Sequence, residues 1–321
     1  MGRQGIVLLA TALALLTGCA ELQIERLKGR PGDLPSQSRV AGVPFYPQQA
    51  HYCGPASLAM VLSWAGGDVG QDEVAGQVFT PGKEGAFRAD VLAAARRRGY
   101  LAVPVRGLPG LLGELAAGNP VLVFQNLGLS WLPRWHFAVA IGYDLPAEKI
   151  RLHTGKHRAR TVALGTFERT WGRTDYWGVV VLPPGRLPAT AEPGDVLQAA
   201  VGLERAERFE AAGSAFAAVT RRWPGKLGGW VGLANARYRL GDLQGAVDAL
   251  QAGVAHHPRA AEAWNNLAVV LADLGEKRAA LRAARRAVAI GGERSETYRR
   301  TLREVGGFPN GKDADAAPAS P

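Results

Sequence analysis

The chain has 321 residues, 47% hydrophobic and 21% charged, with a formal net charge of +10. This composition is ordinary for a soluble protein with one or two packed cores. The positive charges are dispersed over 96–98, 151–160 and 277–303. No stripe of Lys/Arg interleaved with aromatics marks a nucleic-acid surface, and no cofactor is indicated.

The N-terminus opens MGRQG, with one positive charge at Arg3, and continues in the apolar run IVLLATALALLT. That run is shorter than the roughly 20 residues a membrane-spanning helix needs. A charged start, a short apolar core and small residues after it read as a secretory signal peptide over 1–18. Its end, Leu16-Thr17-Gly18-Cys19, resembles the lipobox of bacterial lipoproteins, in which cleavage precedes the cysteine and the thiol is acylated. With Ala20 after Cys19, the sorting rule of Gram-negative lipoproteins implies the periplasmic face of the outer membrane. The expected membrane partner is therefore reached through a lipid anchor on Cys19. Residues 19–38 are polar, with scattered Pro and Gly, and read as a tether.

The segment 39–184 reads as one domain of α+β class. Helices are expected at 53–65, 86–98 and 108–117. Short runs rich in Val and Ile at 121–126, 137–143, 149–153 and 177–183 read as strands. Helices come early and strands late, so the pattern is not an alternating βαβ series. Residues 185–195, GRLPATAEPGD, read as a linker.

Beyond it the sequence is helical and repeats. Trp230 and Trp264, and Pro224 and Pro258, are each 34 apart, and Ala212, Ala246 and Ala280 keep that period. So do Phe216, Leu250 and Ala284. The pattern resembles the tetratricopeptide repeat, which implies three all-α units over 196–305 and a surface for a protein partner or substrate. Gly292 stands where the third unit would carry Pro. Residues 306–321 lack an apolar period and read as a disordered tail.

Cys19 and Cys53 are the only cysteines. If Cys19 is acylated, Cys53 has no partner within the chain. An odd thiol in an exported protein is a candidate nucleophile or a buried hydrophobe. Cys53-Gly54-Pro55 leads directly into an apolar helix, which puts the thiol at the positive end of a helix dipole. A nucleophilic thiol also needs a base and an oxyanion donor. Of the six histidines, His136 begins the most hydrophobic strand. His51 lies in a loop two residues before Cys53, His153 and His157 flank a TGK turn, and His256 and His257 lie at a helix end in the repeats. Trp131 and Trp135, just before His136, are placed to line a substrate groove.

Together, PQQAHYCGPASLAMVL and HFAVAIGYD resemble the C39-like cysteine peptidases, papain-like enzymes related to the bacteriocin-leader peptidases. The resemblance implies Cys53 as nucleophile, His136 as base and Gln48, five residues before the cysteine and a better fit than Gln49, as oxyanion donor. The family's acid that orients the histidine is missing; Thr154 aligns with its position and Asp144 is the nearest acid in sequence, so the third member is left open between Thr154, Asp144 and none. The expected protein is a lipid-anchored peptidase acting on a peptide or protein. Two alternatives are a weakly active or inactive peptide-binding scaffold and an acyl or amide transferase that uses the same thioester. Double-glycine specificity is not implied, because the related enzymes receive their leader peptides from a fused transporter.

Overall fold

The computed structural model describes residue 23 and residues 34–48, 52–80 and 85–307. The signal peptide, Cys19, most of the tether, Gln49, His51 and the tail beyond Gly307 lie outside the described residues. Among the described residues no helix is long and apolar enough to cross a membrane.

The first domain is built on a seven-stranded sheet in which every pairing is antiparallel. Its strands are β1 (Gln37–Arg39), β4 (Leu101–Pro104), β5 (Val121–Asn126), β6 (Trp135–Asp144), β7 (Lys149–Thr154), β8 (His157–Ala163) and β9 (Gly178–Leu182). The order is β4-β9-β5-β6-β7-β8, and β1 pairs with the far end of β6, beyond the start of β5. A two-stranded ribbon, β2 (Phe79–Thr80) and β3 (Gly85–Ala86), stands apart. The helices of this domain are α1 (Cys53–Trp64), α2 (Gln71–Val78), α3 (Arg88–Arg97), α4 (Gly107–Ala116) and α5 (Leu164–Gly172). The three helices expected from sequence are present, with ends shifted by one or two residues. Two more, α2 and α5, carry charges through short apolar patterns that periodicity does not single out.

The last residues of the expected tether are not free. Gln37 and Ser38 pair with Asp144 and Tyr143 as part of β1. Gly142 makes this possible, because a Cβ there would collide with the Ser38 carbonyl. The sheet and α1 enclose a core that includes Leu58, Met60, Leu62, Phe137, Val139 and Trp171. From Gly54 to Leu62 every residue of α1 is buried, so this helix is apolar all round because it lies inside the domain.

The second domain is three helical hairpins, α6 (Pro193–Arg205) with α7 (Phe209–Arg222), α8 (Leu227–Arg239) with α9 (Leu243–His256), and α10 (Ala261–Asp273) with α11 (Lys277–Ile290), closed by α12 (Ser295–Gly306). The 34-residue period has a direct structural cause. The indole N–H of Trp230 donates to the Pro224 carbonyl at 2.8 Å, and that of Trp264 donates to the Pro258 carbonyl at 3.1 Å. Each tryptophan thereby locks the start of one hairpin to the end of the previous one. Ala212, Ala246 and Ala280 are fully buried where paired helices approach each other. At the third unit, Gly291 and Gly292 both adopt positive φ and end α11 where Pro stands in the earlier units.

The two domains share β4. Leu101 and Val103 pack into the core of the repeats, while Ala102 between them packs into the core of the sheet. Alternation of side chains along a strand makes this double service possible. The expected linker is pinned as well. The fully buried Glu114 carboxylate accepts hydrogen bonds from the backbone N–H groups of Ala189 and Thr190, the Thr190 hydroxyl and the Asn119 amide. Arg222 donates to the carbonyls of Pro188 and Ala189. Glu114→Ala leaves two of these backbone donors unmatched and is expected to lower stability by about 3 kcal/mol. It should also open the 185–192 segment to protease, and limited proteolysis of the variant against the parent measures this.

Candidate active site

The site is assembled where the first turn of α1 meets the open end of β6. Gly54 is required at this junction. A Cβ there would stand 2.6 Å from the Ala86 Cβ and 3.4 Å from the Phe137 ring, so a larger residue would push the helix away. Pro55 follows in the first turn, where the missing N–H leaves no intrahelical bond unmade. The remaining N–H groups of this turn, those of Cys53 and Gly54, favour the charged form of the thiol.

Cys53 is a free, half-buried cysteine that also receives the Phe137 backbone N–H, next in sequence to His136. Burial pushes its pKa up from the ordinary thiol value, and the backbone N–H groups of Phe137, Gly54 and Cys53 pull against it. The net direction is upward, so the helix terminus does not by itself hold a thiolate. His136 bonds through Nε2 to the Thr154 hydroxyl at 2.7 Å. Burial, and then the nearby Arg134 charge, push its pKa down to about 4. At neutral pH the resting site therefore holds a thiol and a neutral imidazole. Among the described residues no hydrogen bond joins that thiol to the ring.

Thr154 is the side chain bonded to the His136 ring, and Asp144 is not. Asp144 ends β6 at the opposite end from His136, where it accepts bonds from Gln37 and the Ala147 N–H. Eight residues of strand, roughly 26 Å, separate it from the histidine.

Gln48 is buried beside the site, but its amide is occupied. Nε2 donates to the Ser57 hydroxyl at 3.1 Å and to the Phe137 carbonyl at 3.3 Å, and Oε1 accepts from the Gly155 N–H at 2.8 Å. It ties together α1, β6 and the β7–β8 turn. Both amide hydrogens are committed, so an oxyanion at Cys53 reaches Gln48 only if the longer bond, to Phe137, is released.

The other histidines fall away. His153 is buried, donates from Nε2 to the Val43 carbonyl and accepts the Ala159 N–H at Nδ1, which fixes it as a neutral structural ring. No cluster of metal ligands occurs among the described residues, and His157 is exposed on β8. His256 is exposed and stacks on Trp230.

A cavity of about 410 Å³ opens at Cys53 and is lined by Phe87, Arg88, Phe124, Trp135, Phe137 and the 173–175 turn. Trp135 is thus in the wall, whereas Trp131, 77% exposed, stands at the tip of the β5–β6 hairpin outside it. The contributions of 86–88 and 173–175 had no sequence signal. The segments lie far from Cys53 in the chain and meet it only in the fold.

An antiparallel sheet with a cysteine-led helix packed on its inner strand β6, followed by helical hairpins with a 34-residue period, defines the class: an α+β domain joined to a repeat array. Residues 40–178 match the family model described as Peptidase_C39 like family. Residues 197–254 and 231–295 match Tetratricopeptide repeat. The chain therefore carries a C39-like peptidase domain followed by tetratricopeptide repeats. No curated protein sequence matches it. Among solved structures it is similar to a protein described as a C39-like peptidase from Bacillus anthracis, with 20% identity and a TM-score of 0.40, covering 46% of this chain and 98% of that one. It is also similar to MamA, with 18% identity and a TM-score of 0.33, covering 36% of this chain and 66%, just under two thirds, of that one. A third is the Yersinia enterocolitica type III secretion translocator chaperone SycD, with 16% identity and a TM-score of 0.33, covering 35% and 82%.

His136 and His153 both have folded pKa values below the ordinary one. As pH falls from about 6.5 toward 4, the unfolded chain takes up these protons before the folded one. Their contribution to stability is therefore complete above pH 6.5 and lost as pH falls through the folded values. A urea midpoint clearly lower at pH 5 than at pH 7, with a smaller drop in His136→Gln, is the expected result.

Proposed function

We propose that the protein is a cysteine peptidase held at the periplasmic face of the outer membrane by a lipid on Cys19, with the repeats docking its substrate or a protein partner. The observation that carries the catalytic reading is the Thr154–His136 bond beside Cys53. In the tautomer whose Nε2–H donates to Thr154, Nδ1 carries the lone pair and is the nitrogen free to take the thiol proton. When a peptide carbonyl is bound, the Cys53 proton moves to Nδ1 as sulfur bonds to the carbonyl carbon. The negative charge formed on the carbonyl oxygen is met by the Cys53 backbone N–H and, after its bond to Phe137 is released, by Gln48 Nε2. The C–N bond then breaks as Nδ1 returns the proton to the leaving amine. Water attacks the thioester, again giving a proton to Nδ1, and the carboxylic acid leaves with the thiol restored.

Because the resting pair is neutral, activity depends on an unprotonated His136. It should be present above about pH 5 and fail as pH drops through 4, in contrast to the thiolate-limited profile of an unassisted cysteine. His136→Ala is expected to lower kcat/KM by at least ~100-fold. Thr154→Val should lower kcat roughly tenfold with KM little changed, since it frees the ring without touching the substrate. Peptide hydrolysis followed across pH 3.5–8.5 in the three proteins tests this. A rate that ignores His136 would sink the peptidase reading.

Two observations favour a second reading. The upward-shifted thiol and an orienter without charge suit a scaffold that grips peptides and cuts them slowly or not at all. Saturable peptide binding with no turnover by the intact chain would establish it. Acyl or amide transfer differs only in the acceptor, and product analysis with an added amine separates it from hydrolysis.

A further inference from the structure

Resting on the peptidase reading of Cys53, we propose that the cavity beside it receives a bulky apolar side chain, aromatic or leucine-like, from a substrate residue flanking the scissile bond. The cavity's volume of about 410 Å³ lies within the range of small-molecule pockets. It is far more space than a glycine needs. One wall is aromatic, while Arg173, Thr174 and Asp175 form the other. Phe124 stacks on Trp135 with ring centres 5.5 Å apart and leans on Phe137 at 4.5 Å. Arg88 lies over the Phe124 ring at 5.6 Å and covers part of the wall with an apolar stem.

The opposite wall is rigid. Asp175 and Tyr176 both sit in the left-handed region, at φ 55° and 54°, a conformation that costs energy in non-glycine residues. The turn is held there by the Thr174 hydroxyl, 2.6 Å from the Phe124 carbonyl, and by the Arg173 guanidinium on the carbonyls of Asn126 and Gly128. These bonds fasten the turn to β5, which carries Phe124, so the two walls keep a fixed spacing. The entrance is also apolar and open: Phe87 is 52% exposed and Trp135 54%. A preformed, aromatic-lined space at the nucleophile, with exposed apolar residues at its mouth, gains most by burying an apolar side chain.

The test uses the full chain with Cys53→Ala, which binds without reacting, and peptides of the form acetyl-Ala-Ala-Xaa-Ala-Ala-amide. By calorimetry, Phe or Leu at Xaa should bind roughly tenfold or more tightly than Gly, and Asp no better than Gly. Trp135→Ala in the same background should reduce the Phe-over-Gly preference to within about threefold, while the half-exposed position of Trp135 leaves folding intact. Equal affinity for Phe and Gly, a preference for Asp, or no saturable binding of the Phe peptide would overturn the pocket. The pocket and the chemistry fail separately. A Phe preference with no cleavage by the parent chain upholds the pocket and removes the peptidase, and cleavage indifferent to Xaa does the reverse.

Discussion

The seating of one helical turn on one strand end governs this site. The first turn of α1 lies against the start of β6 because Gly54 has no side chain to hold it off, and that contact sets the distance between sulfur and the backbone beside His136. The features around it serve to fix the same junction. Gln48 bonds to α1, to the Phe137 carbonyl and to the β7–β8 turn, and Thr154 holds the imidazole from the end of β7. In a buried α1 with no polar face, any slip would cost packing along its whole length.

The electrostatics follow from the same burial. A helix N-terminus favours an anion, and the sequence suggests that Cys53 would profit from it. The fold sets a larger opposing effect beside it, because withdrawing sulfur and imidazole from water penalises their charged forms. With a hydroxyl rather than a carboxylate behind His136, nothing in the orienting position repays that cost. The result is a site that is uncharged at rest at neutral pH.

Much of this organisation is legible in the sequence, for reasons that differ by region. The repeats are the plainest, because the Trp264–Pro258 bond recurs at Trp230–Pro224 and stamps a period on the chain. Cys53 and His136 stand out because their neighbours carry a known local pattern. The sequence leaves open whether Thr154, Asp144 or no residue partners the ring, and only the fold shows the bond to Thr154. The engagement of the Gln48 amide is not legible either, since it depends on Ser57, Phe137 and Gly155 arriving from three separate elements. The same is true of the cavity. Phe124 and Phe137 look like ordinary core residues in their strands, and only the register that places them opposite each other makes them a wall. Short elements such as α2 and α5 are lost for a further reason: their shape comes from the surfaces they cover.

Strand β4 belongs to two interiors at once, with Leu101 and Val103 turned to the repeats and Ala102 to the sheet. A chain cut after the sheet would carry a greasy, ready-made edge into solvent, and a chain beginning at the repeats would start with an uncovered helix face. Neither half is a natural fragment. A truncation that abolishes activity would then report on the solubility of what remains, and it would say nothing of what the repeats hold. Single substitutions on the faces of the array that point away from β4 are the changes that can separate recognition from folding in this protein.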